Sequence, residues 1–363
     1  MLPSAVFRSR ATSIGWIGLG AMGHPMATNL FLKTHAHQQT NSAAERTSKF
    51  LFCEKDDARA ELFCEGLREK GGVELYSMVE RVGSGKEMSL AASKIITMLP
   101  STPQVEAVYL DPDSGILAGM TKLFPKLTSR HESGTPHTLL IDQTTLDPTK
   151  AIEIAERVHQ TTQYGALMLD APVSGGTSAA ASGLLTIMFG SPSPLATSLA
   201  LPLLRRMARE NGVIDCGKNG LGVGVKVCNN LILAINQIAL AEGLALGRSL
   251  GIDPLLLHDI INSSSGQSWS SKVNSPLTEV ATSPGSRGYS GGFQSRLMLK
   301  DVGLALHAAH KFSLPTPLTW AASSVYDSVC KEGDGAMASK DFSIVYEWLK
   351  KKQEEGVEVG WKE

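Results

Sequence analysis

Short apolar runs alternate with amphipathic stretches through the first half of the chain. Each run is bounded by Gly, Pro, Asp or Ser, and together they predict strands at residues 14–17, 50–53, 95–98, 139–141, 167–169 and 185–189. Helical patterns follow the first two runs, at residues 24–32 and 56–70. Strands that alternate with helices form βαβ units, so this half predicts a parallel sheet covered by helices.

Strand signals almost end after residue 217. Long helical patterns follow, at residues 222–250, 254–262, 296–312, 315–331 and 339–352. They predict an all-α second domain. Between them, residues 262–292 are rich in Ser, Gly and Pro, which is typical of a mobile loop or an active-site cover.

Composition narrows the class of protein. The chain has 363 residues, of which 42% are hydrophobic and 19% charged, and Lys plus Arg (34) balance Asp plus Glu (35). That balance argues against a nucleic-acid binder, which has a basic excess. The five cysteines are scattered without a C-x-x-C pair, which favours reduced intracellular thiols and disfavours a metal site.

No apolar run is long enough to suggest a membrane span. Such a helix needs roughly 18 uninterrupted apolar residues. The nearest candidate, residues 231–246, is interrupted by Asn236, Gln237 and Glu242. We therefore expect no membrane association.

The N-terminus has the composition of a targeting segment. The first acidic residue is Glu45, and residues 1–12 contain Arg8 and Arg10 together with Ser. Arg and Ser without acids are typical of a transit peptide, which favours mitochondrial import. The alternative is the frayed tail of a cytoplasmic protein.

A glycine fingerprint follows the first predicted strand. The motif G-x-G-x-x-G is formed by Gly18, Leu19, Gly20, Ala21, Met22 and Gly23. Its position between a strand and a helix is the context that dinucleotide binding requires, because the pyrophosphate lies on the N–H groups at the helix start. The alternative is a glycine-rich turn without a ligand.

Glu54 ends the second predicted strand and is the candidate for the adenosine ribose. A carboxylate there accepts hydrogen bonds from ribose hydroxyls and repels a 2′-phosphate, so it favours NAD over NADP. Glu54 lies 36 positions after Gly18, whereas about 20 are expected. We attribute the excess to residues 33–49, read as an exposed polar insertion. Lys55 and Arg59 nearby leave NADP open, and Glu54 as one solvated charge is the alternative.

Lys226 is the candidate acid/base. Glycines at 220, 222 and 224 precede it at the start of a long helix, and Asn230 shares its face because it is four residues on. Residues 231–235 are apolar on every face, so we expect this helix to be buried. Burial lowers the pKa of a lysine towards the range useful for proton transfer. The alternative is a side chain that reaches solvent from the first turn.

Six motifs occur in one order along the chain, at residues 17–27, 97–100, 142–148, 170–176, 226–230 and 291–301. Together they resemble the 3-hydroxyisobutyrate dehydrogenase family of β-hydroxyacid dehydrogenases, and the resemblance extends over residues 13–352. Two positions depart from the family pattern. Gln104 stands where the family often has Asn, and Gln143 stands where it often has Ser.

The resemblance implies a fold and its domains. We expect an α/β N-terminal Rossmann-type dinucleotide-binding domain at residues 13–217 and an all-α C-terminal domain for substrate binding and dimerisation at residues 218–352. Residues 1–12 would be a mitochondrial presequence and residues 353–363 a charged tail.

The resemblance also implies roles for single residues. Lys226 would be the catalytic acid/base, with Asn230 assisting at the substrate. The substrate carboxylate would be bound by Ser174, Gly175 and Gly176. Besides the glycine fingerprint and Glu54, the residues implied to contact the cofactor are Leu99, Pro100, Gln104, Thr145 and Lys300.

The implied reaction is the NAD-dependent oxidation of 3-hydroxyisobutyrate to methylmalonate semialdehyde, a step of valine (branched-chain amino acid) catabolism. The partners would be this small hydroxy acid and further copies of the chain in a dimer or tetramer, without nucleic acid. Three alternatives stay open. One is an NADPH-dependent reductase of tartronate, succinic or glyoxylic semialdehyde. The second is a sugar-phosphate dehydrogenase of the related lysine-dependent type, which the sequence disfavours because it shows no extra Arg/Lys phosphate clamp. The third is a non-catalytic dinucleotide-binding module.

Overall fold

The computed structural model of the protein describes residues 10–41, 46–123 and 138–357. The chain divides into two compact units, Met1–Lys226 and Val227–Glu363. The boundary expected from the sequence, after residue 217, lies a few residues before this division. Each unit has its own architecture.

The first unit contains a six-stranded parallel sheet. Its strands are β1 (Ile14–Ile17), β2 (Phe50–Cys53), β3 (Val79–Arg81), β4 (Lys94–Thr97), β5 (Thr138–Asp142) and β6 (Ala166–Asp170). They lie in the order β3-β2-β1-β4-β5-β6, and every neighbouring pair is parallel. The predicted α/β fold of Rossmann type is therefore confirmed. The strand order reverses between β1 and β4, which is where such sheets bind ligands.

Apolar runs predicted the buried strands well, because continuous burial requires continuous apolar sequence. The bounds of β1 and β2 match the prediction, and all their residues are buried. β3 has no counterpart among the predicted strands. It lies at the sheet edge, and Glu80 and Arg81 are exposed, so no apolar run identifies it.

Helices separate the strands of the first unit. They are α1 (Gly23–Thr40), α2 (Asp57–Ser77), α3 (Gly85–Ala91), α4 (Thr102–Leu110), α5 (Ile116–Leu123), α6 (Pro148–Thr161), α7 (Gly176–Ser182) and α8 (Pro194–Leu204). α2 is kinked at Gly72, which has a φ of 73°.

The expected exposed insertion at residues 33–49 was wrong for its first half. Helix α1 continues to Thr40, and Thr34 and His35 are buried. The Thr34 hydroxyl donates a hydrogen bond to Leu30 O at 2.5 Å within the helix. Burial of side chains on one face, rather than apolar periodicity, stabilises the helix through this polar stretch, because most helical stability in proteins comes from tertiary packing. Residues 42–45 lie outside the described residues.

A smaller sheet completes the first unit. It contains β7 (Val173–Ser174), β8 (Leu185–Phe189) and β9 (Ala208–Asp215), with β7 antiparallel and β9 parallel to β8. β8 matches its prediction. β9 has exposed polar residues at its centre, among them Arg209 and Glu210, so its pattern does not read as a strand.

The described part of the second unit consists of helices joined by turns, as predicted. They are α9 (Leu221–Ser249, beginning in the first unit), α10 (Pro254–Ser263), α11 (Trp269–Lys272), α12 (Ser295–Lys311), α13 (Pro317–Gly335) and α14 (Val345–Glu354). Two short 3₁₀ segments, Gly285–Arg287 and Phe342–Ile344, lie between them. The predicted charged tail is helical as far as Glu354, and residues 358–363 lie outside the described residues.

The prediction that α9 is buried on every face was wrong. Ile232 is 56% exposed and Leu246 is 62% exposed, whereas Ala234, Ala241 and Leu244 are buried. The apolar residues of α9 thus lie on two faces, one packed in the core and one in contact with solvent.

Among the described residues, helix α9 alone is long and apolar enough to cross a membrane, judged by length and composition only. In its most apolar stretch of 18 residues, 44% is buried inside the protein. A partly buried core helix of a helical domain meets the same criterion.

The segment at residues 262–292 is packed over much of its length. The Tyr289 hydroxyl donates to Pro276 O at 2.7 Å, and the Ser283 hydroxyl donates to Leu277 O at 2.8 Å. Asn274 is buried and donates to Asp341 Oδ1 at 3.1 Å. The first two contacts stabilise the segment internally, and the third joins it to the rest of the second unit.

Candidate active site

The glycine fingerprint forms the turn between β1 and α1. Gly18 has a φ of 98°, and a Cβ there would lie 2.3 Å from Met98 O. A Cβ on Gly23 would lie 2.0 Å from Gly18 O. Both positions therefore require glycine, the first for its backbone conformation and the second for the close approach of helix and turn. Gly20 differs, because a Cβ there would meet no atom within 4 Å.

Glu54 lies against this turn. Its Oε2 accepts a hydrogen bond from Leu19 N at 2.7 Å, and its Oε1 accepts from Lys55 N at 2.9 Å and Asp56 N at 3.0 Å. The structure thus brings Glu54 and the fingerprint together in spite of their separation in sequence. The Arg81 guanidinium donates to Glu54 O at 2.6 Å.

Leu99 and Pro100 follow β4, next to the fingerprint turn. Leu99 N donates to Thr144 Oγ1 at 3.0 Å, and the Thr144 hydroxyl donates to Asp142 Oδ1 at 2.8 Å. Thr97, the last residue of β4, donates its hydroxyl to the same Oδ1 at 2.7 Å. One buried carboxylate therefore joins the segments that follow β4 and β5.

Burial raises the pKa of Asp142 from 3.8 to about 7, against the opposing effect of the hydrogen bonds from Thr97 and Thr144. Asp142 Oδ2 has no hydrogen-bond partner among the described residues. Both hydroxyls donate to Oδ1, so Oδ2 is the oxygen that can carry a proton. Protonation there removes the free-energy cost of a buried negative charge. The pattern of apolar residues does not predict this hydrogen-bond network. The sequence feature that could have indicated it is the acidic residue, Asp142, at the end of a buried strand.

The two positions that depart from the family pattern have different surroundings. Gln104 is exposed on α4, and its Oε1 accepts from the Ser101 hydroxyl at 2.5 Å. Gln143 is fully buried, and neither of its side-chain amide atoms has a hydrogen-bond partner among the described residues. Thr145, two residues later, is half-buried.

The expected carboxylate site lies on a turn with two unusual glycines. Ser174 ends β7, and Gly175 and Gly176 have φ values of 133° and 69°. A Cβ on Gly175 would lie 2.6 Å from the Cβ of Ala179, whereas Gly176 borders open space. The turn leads into α7, which is tied to α1 because Asn29 Nδ2 donates to Ala180 O at 2.9 Å.

Lys226 lies in the second turn of α9 and is 7% exposed. The expectation of a buried lysine is therefore met in the structure, which leaves its chemical role as a proposal. Asp170, the last residue of β6, binds the start of this helix: its carboxylate accepts from Gly220 N at 2.7 Å and Val223 N at 3.0 Å. Asp170 was not among the residues to which the sequence assigned a role.

The second unit contains the remaining predicted residues. Asn230 is buried, and its Nδ2 donates to Asp301 Oδ2 at 2.5 Å. Lys300 Nζ lies 3.3 Å from Asp301 Oδ1. Asp301 is 2% exposed, so this buried carboxylate connects the two residues.

The first unit fits a dinucleotide. The open space beside Gly20 leaves room for a pyrophosphate to approach the backbone. The Glu54 carboxylate stands at the end of β2, where the adenosine ribose lies in this fold. In the described part of the chain, no group of three or more His, Cys, Asp and Glu side chains could hold a metal ion.

Comparison with known proteins agrees with this geometry. Residues 13–217 match the family model for the NAD-binding domain of 6-phosphogluconate dehydrogenase. Residues 220–349 match the model described as the NAD-binding domain of NADP-dependent 3-hydroxyisobutyrate dehydrogenase. The two models together cover nearly the whole described chain.

Individual relatives are similar over their full length. A probable mitochondrial 3-hydroxyisobutyrate dehydrogenase of Dictyostelium discoideum is 36% identical over 94% of this chain and 92% of its own length. An NAD-dependent L-serine dehydrogenase of Pseudomonas aeruginosa is 36% identical over 92% of this chain and 96% of its own.

A solved structure shows the same similarity. The Mycobacterium tuberculosis 3-hydroxyisobutyrate dehydrogenase, solved with L-serine, has a TM-score of 0.72 and 32% identity, and the match covers 93% of this chain and 99% of that one. The chain is therefore an NAD(P)-binding oxidoreductase that belongs to the 3-hydroxyisobutyrate dehydrogenase family of β-hydroxyacid dehydrogenases.

Proposed function

We propose that this protein is an NAD-dependent 3-hydroxyisobutyrate dehydrogenase, which oxidises the primary alcohol of a short β-hydroxy acid to an aldehyde. The product would be methylmalonate semialdehyde, which would place the enzyme in valine catabolism. The observation that carries the proposal is Lys226, a buried lysine at the position where the family motif has its acid/base.

The residues of this chain would divide the chemistry as follows. Bound NAD supplies the hydride acceptor. Lys226 Nζ would enter as the neutral amine and take the proton of the substrate hydroxyl as the carbinol carbon is oxidised; in the reverse direction its ammonium would return that proton to the aldehyde oxygen. The positive charge that Nζ gains with the proton would stabilise the developing alkoxide electrostatically.

Ser174, Gly175 and Gly176 would hold the substrate carboxylate. Both glycines have positive φ values, and such turns can direct successive backbone N–H groups towards one anion. The Ser174 hydroxyl would be a further hydrogen-bond donor to the carboxylate. Asn230 would bind the substrate hydroxyl, with its side chain held by Asp301. Anchoring the carboxylate orients the reacting carbon and lowers the entropic part of the barrier.

The test is the Lys226→Ala variant. It should fold and bind NAD with unchanged affinity, and lose turnover by about a thousandfold or more, since it lacks both the proton acceptor and the cation. The exposed Lys218→Ala variant, a few residues earlier, is the matched control and should keep its turnover. Substantial turnover in Lys226→Ala would remove the basis of the proposal.

L-Serine oxidation is the second candidate function. Two observations favour it: a relative at 36% identity is an NAD-dependent L-serine dehydrogenase, and a similar structure was solved with L-serine. L-Serine and 3-hydroxyisobutyrate share the 3-hydroxypropanoate skeleton and differ in an ammonium or a methyl group at carbon 2. The ratio of kcat/KM for the two substrates, measured with both NAD and NADP, decides between the two candidates.

NAD is proposed over NADP because of Glu54. Its carboxylate occupies the ribose end of the site, where it would repel a 2′-phosphate. A semialdehyde reductase dependent on NADPH would have the opposite preference, so the cofactor ratio tests this alternative as well.

The second unit is proposed to bind further copies of the chain. Helix α9 exposes Ile232 and Leu246, and Leu250, in the turn that follows the last helical residue, is exposed as well. Exposed apolar side chains along one helix are typical of an interface, and in homo-oligomers the same face meets itself across a twofold axis.

Mitochondrial import is proposed from the N-terminal composition and supported by the mitochondrial relative of Dictyostelium discoideum. Arg10 is buried and its guanidinium donates to Ser89 O at 2.9 Å and Thr138 Oγ1 at 2.6 Å, so the presequence expected at residues 1–12 would have to be shorter and end before Arg10. Sequencing the N-terminus of the protein recovered from mitochondria tests this. A full-length, cytoplasmic protein would contradict it.

A further inference from the structure

We propose that Asp170 is a positioning residue for Lys226, because its buried carboxylate fixes the start of the helix that carries the lysine. This inference rests on the proposed role of Lys226 as acid/base. It gives a function to a residue that makes no covalent or proton-transfer step of its own.

The contacts of Asp170 replace a missing helix cap. The first N–H groups of a helix have no partner within the helix, and a side chain just before the helix usually accepts from them. In α9 that position is Gly220, which has no side chain. Asp170, 50 residues earlier in sequence, accepts from Gly220 N through Oδ1 and from Val223 N through Oδ2. Asn219 Nδ2 adds a longer contact of 3.4 Å to Oδ1.

Two glycines make room for this arrangement. A Cβ on Gly222 would lie 2.9 Å from Asp170 Oδ2, 2.8 Å from Gly190 N and 2.7 Å from Met188 O. A Cβ on Gly190 would lie 2.7 Å from Asp170 Oδ1. The helix start is therefore held against the ends of both β6 and β8, and no side chain can stand between them.

The electrostatics agree with this role. Asp170 is 3% exposed, and burial raises its pKa, while the backbone hydrogen bonds from Gly220 and Val223 oppose that rise. A carboxylate at a helix N-terminus also interacts favourably with the helix dipole. These interactions offset part of the cost of placing a charge in the interior, although burial remains the larger effect and the pKa of Asp170 stays raised.

The contacts of Asp170 with the start of α9 also fix the position of Lys226. It lies three residues after Val223, which is about 4.5 Å along the helix axis. Any shift or fraying of the first turn therefore displaces its Nζ. Asp170 also lies four residues before Ser174, so one carboxylate joins the proposed substrate anchor to the helix of the acid/base. A misplacement of about 1 Å can cost roughly a hundredfold in rate.

Two variants disturb this anchor in different ways. Asp170→Asn keeps the shape but turns an amide nitrogen towards one of the two backbone N–H groups. Gly222→Ala keeps the carboxylate and pushes the helix away from it. The control is Asp253→Ala, which removes an ordinary helix cap: Asp253 caps α10 by accepting from Leu256 N at 2.8 Å and has no link to Lys226.

Two readouts separate positioning from simple stabilisation. The first is kcat and KM for NAD and the hydroxy acid. The second, which needs no turnover, is the rate at which trace acetic anhydride labels the Lys226 amine relative to the exposed Lys122 in the same molecule. We expect both variants to lower kcat by about thirtyfold with KM for NAD changed by less than about threefold. Labelling of Lys226 should rise by about fivefold, because the first turn opens.

The double variant should be no worse than the more severe single variant, since both changes break the same contact. The control should lose about 1 kcal/mol of stability and nothing else. The proposal is wrong if both variants lose stability as the control does but keep kcat and Lys226 labelling within about twofold.

If the proposed function is wrong, the wild-type protein will show no NAD(P)-linked turnover on hydroxy acids. The labelling of Lys226 does not depend on turnover, so it would still test whether Asp170 holds the start of α9 in place. If Asp170→Asn does not fold, Gly222→Ala, which retains both carboxylate oxygens, decides the question.

Discussion

Three backbone N–H groups converge on the carboxylate of Glu54, one from the glycine turn and two from the residues that follow it. A carboxylate bound in this way is held in place before any ligand arrives. At the residue scale, we propose that this carboxylate sets the preference between NAD and NADP.

Replacing Glu54 by Gln should shift the cofactor preference towards NADP. The change removes the negative charge that repels a 2′-phosphate and keeps the length of the side chain, so the kcat/KM ratio of NADP to NAD should rise by about tenfold or more. Steady-state kinetics with both cofactors measure it. Glu61→Gln, an exposed carboxylate on α2, is the control for the change in net charge. An unchanged ratio would show that Glu54 does not select the cofactor.

Asp142 should make the stability of the protein depend on pH. Its pKa in the folded protein is about 7, above the ordinary 3.8, so the folded state retains a proton that the unfolded chain loses. The free energy of unfolding should therefore fall as pH rises from about 4 to about 7 and then level off, by a few kcal/mol at most.

The Asp142→Asn variant should lack this contribution, because its amide does not titrate and its Oδ1 still accepts from Thr97 and Thr144. Denaturant unfolding at several pH values measures the difference, which should favour the variant increasingly up to pH 7. The exposed Asp113→Asn variant controls for net charge. Parallel curves for Asp142→Asn and wild type would contradict the prediction.

At the scale of elements, β1, the glycine turn and α1 act together as one structural piece. The strand was predicted from its apolar run and the helix start from the fingerprint, because both signals are local. The length of α1 was not predicted, since residues 33–40 are polar and are held in the helix by tertiary packing of its buried face, which includes Thr34 and His35.

Two glycines of this turn should respond differently to a methyl group. Gly23→Ala places a Cβ 2.0 Å from Gly18 O, so helix and turn must separate, at about 1–3 kcal/mol of stability. Gly20→Ala meets no protein atom, so its stability should hold while the affinity for NAD falls about tenfold or more. Thermal unfolding and NAD titration by fluorescence measure the two effects. A stable Gly20→Ala protein with normal NAD affinity would place the pyrophosphate elsewhere.

At the scale of the whole molecule, the surface of the second unit is the main feature that the fold alone does not explain. Leu246 is 62% exposed on the helix that carries Lys226, and Leu250, just after the end of that helix, is 69% exposed. Apolar side chains so exposed raise the free energy of a single chain in water and lower it when a second copy covers them.

The double variant Leu246→Glu with Leu250→Glu should therefore convert an oligomer to single chains. Two carboxylates per chain cannot be buried at an interface without partners, and the helix keeps its solvent face in the monomer. Light scattering after size exclusion measures the mass. Leu62→Glu, which changes an equally exposed leucine on α2 of the first unit, is the control and should leave the mass unchanged.

The amino-acid sequence by itself determined the buried strands β1, β2 and β8, the glycine turn and the helical second unit, because each has a signal within a few neighbouring residues. The weakly apolar strands β3 and β9 were missed, since exposed charges interrupt their pattern. Only the tertiary structure decided how Glu54 reaches Leu19, how Asp142 joins Thr97 to Thr144, and how Asp170 caps the helix of Lys226. Those contacts link residues about 35 to 50 positions apart, and chain folding, rather than local preference, brings such groups within hydrogen-bonding distance.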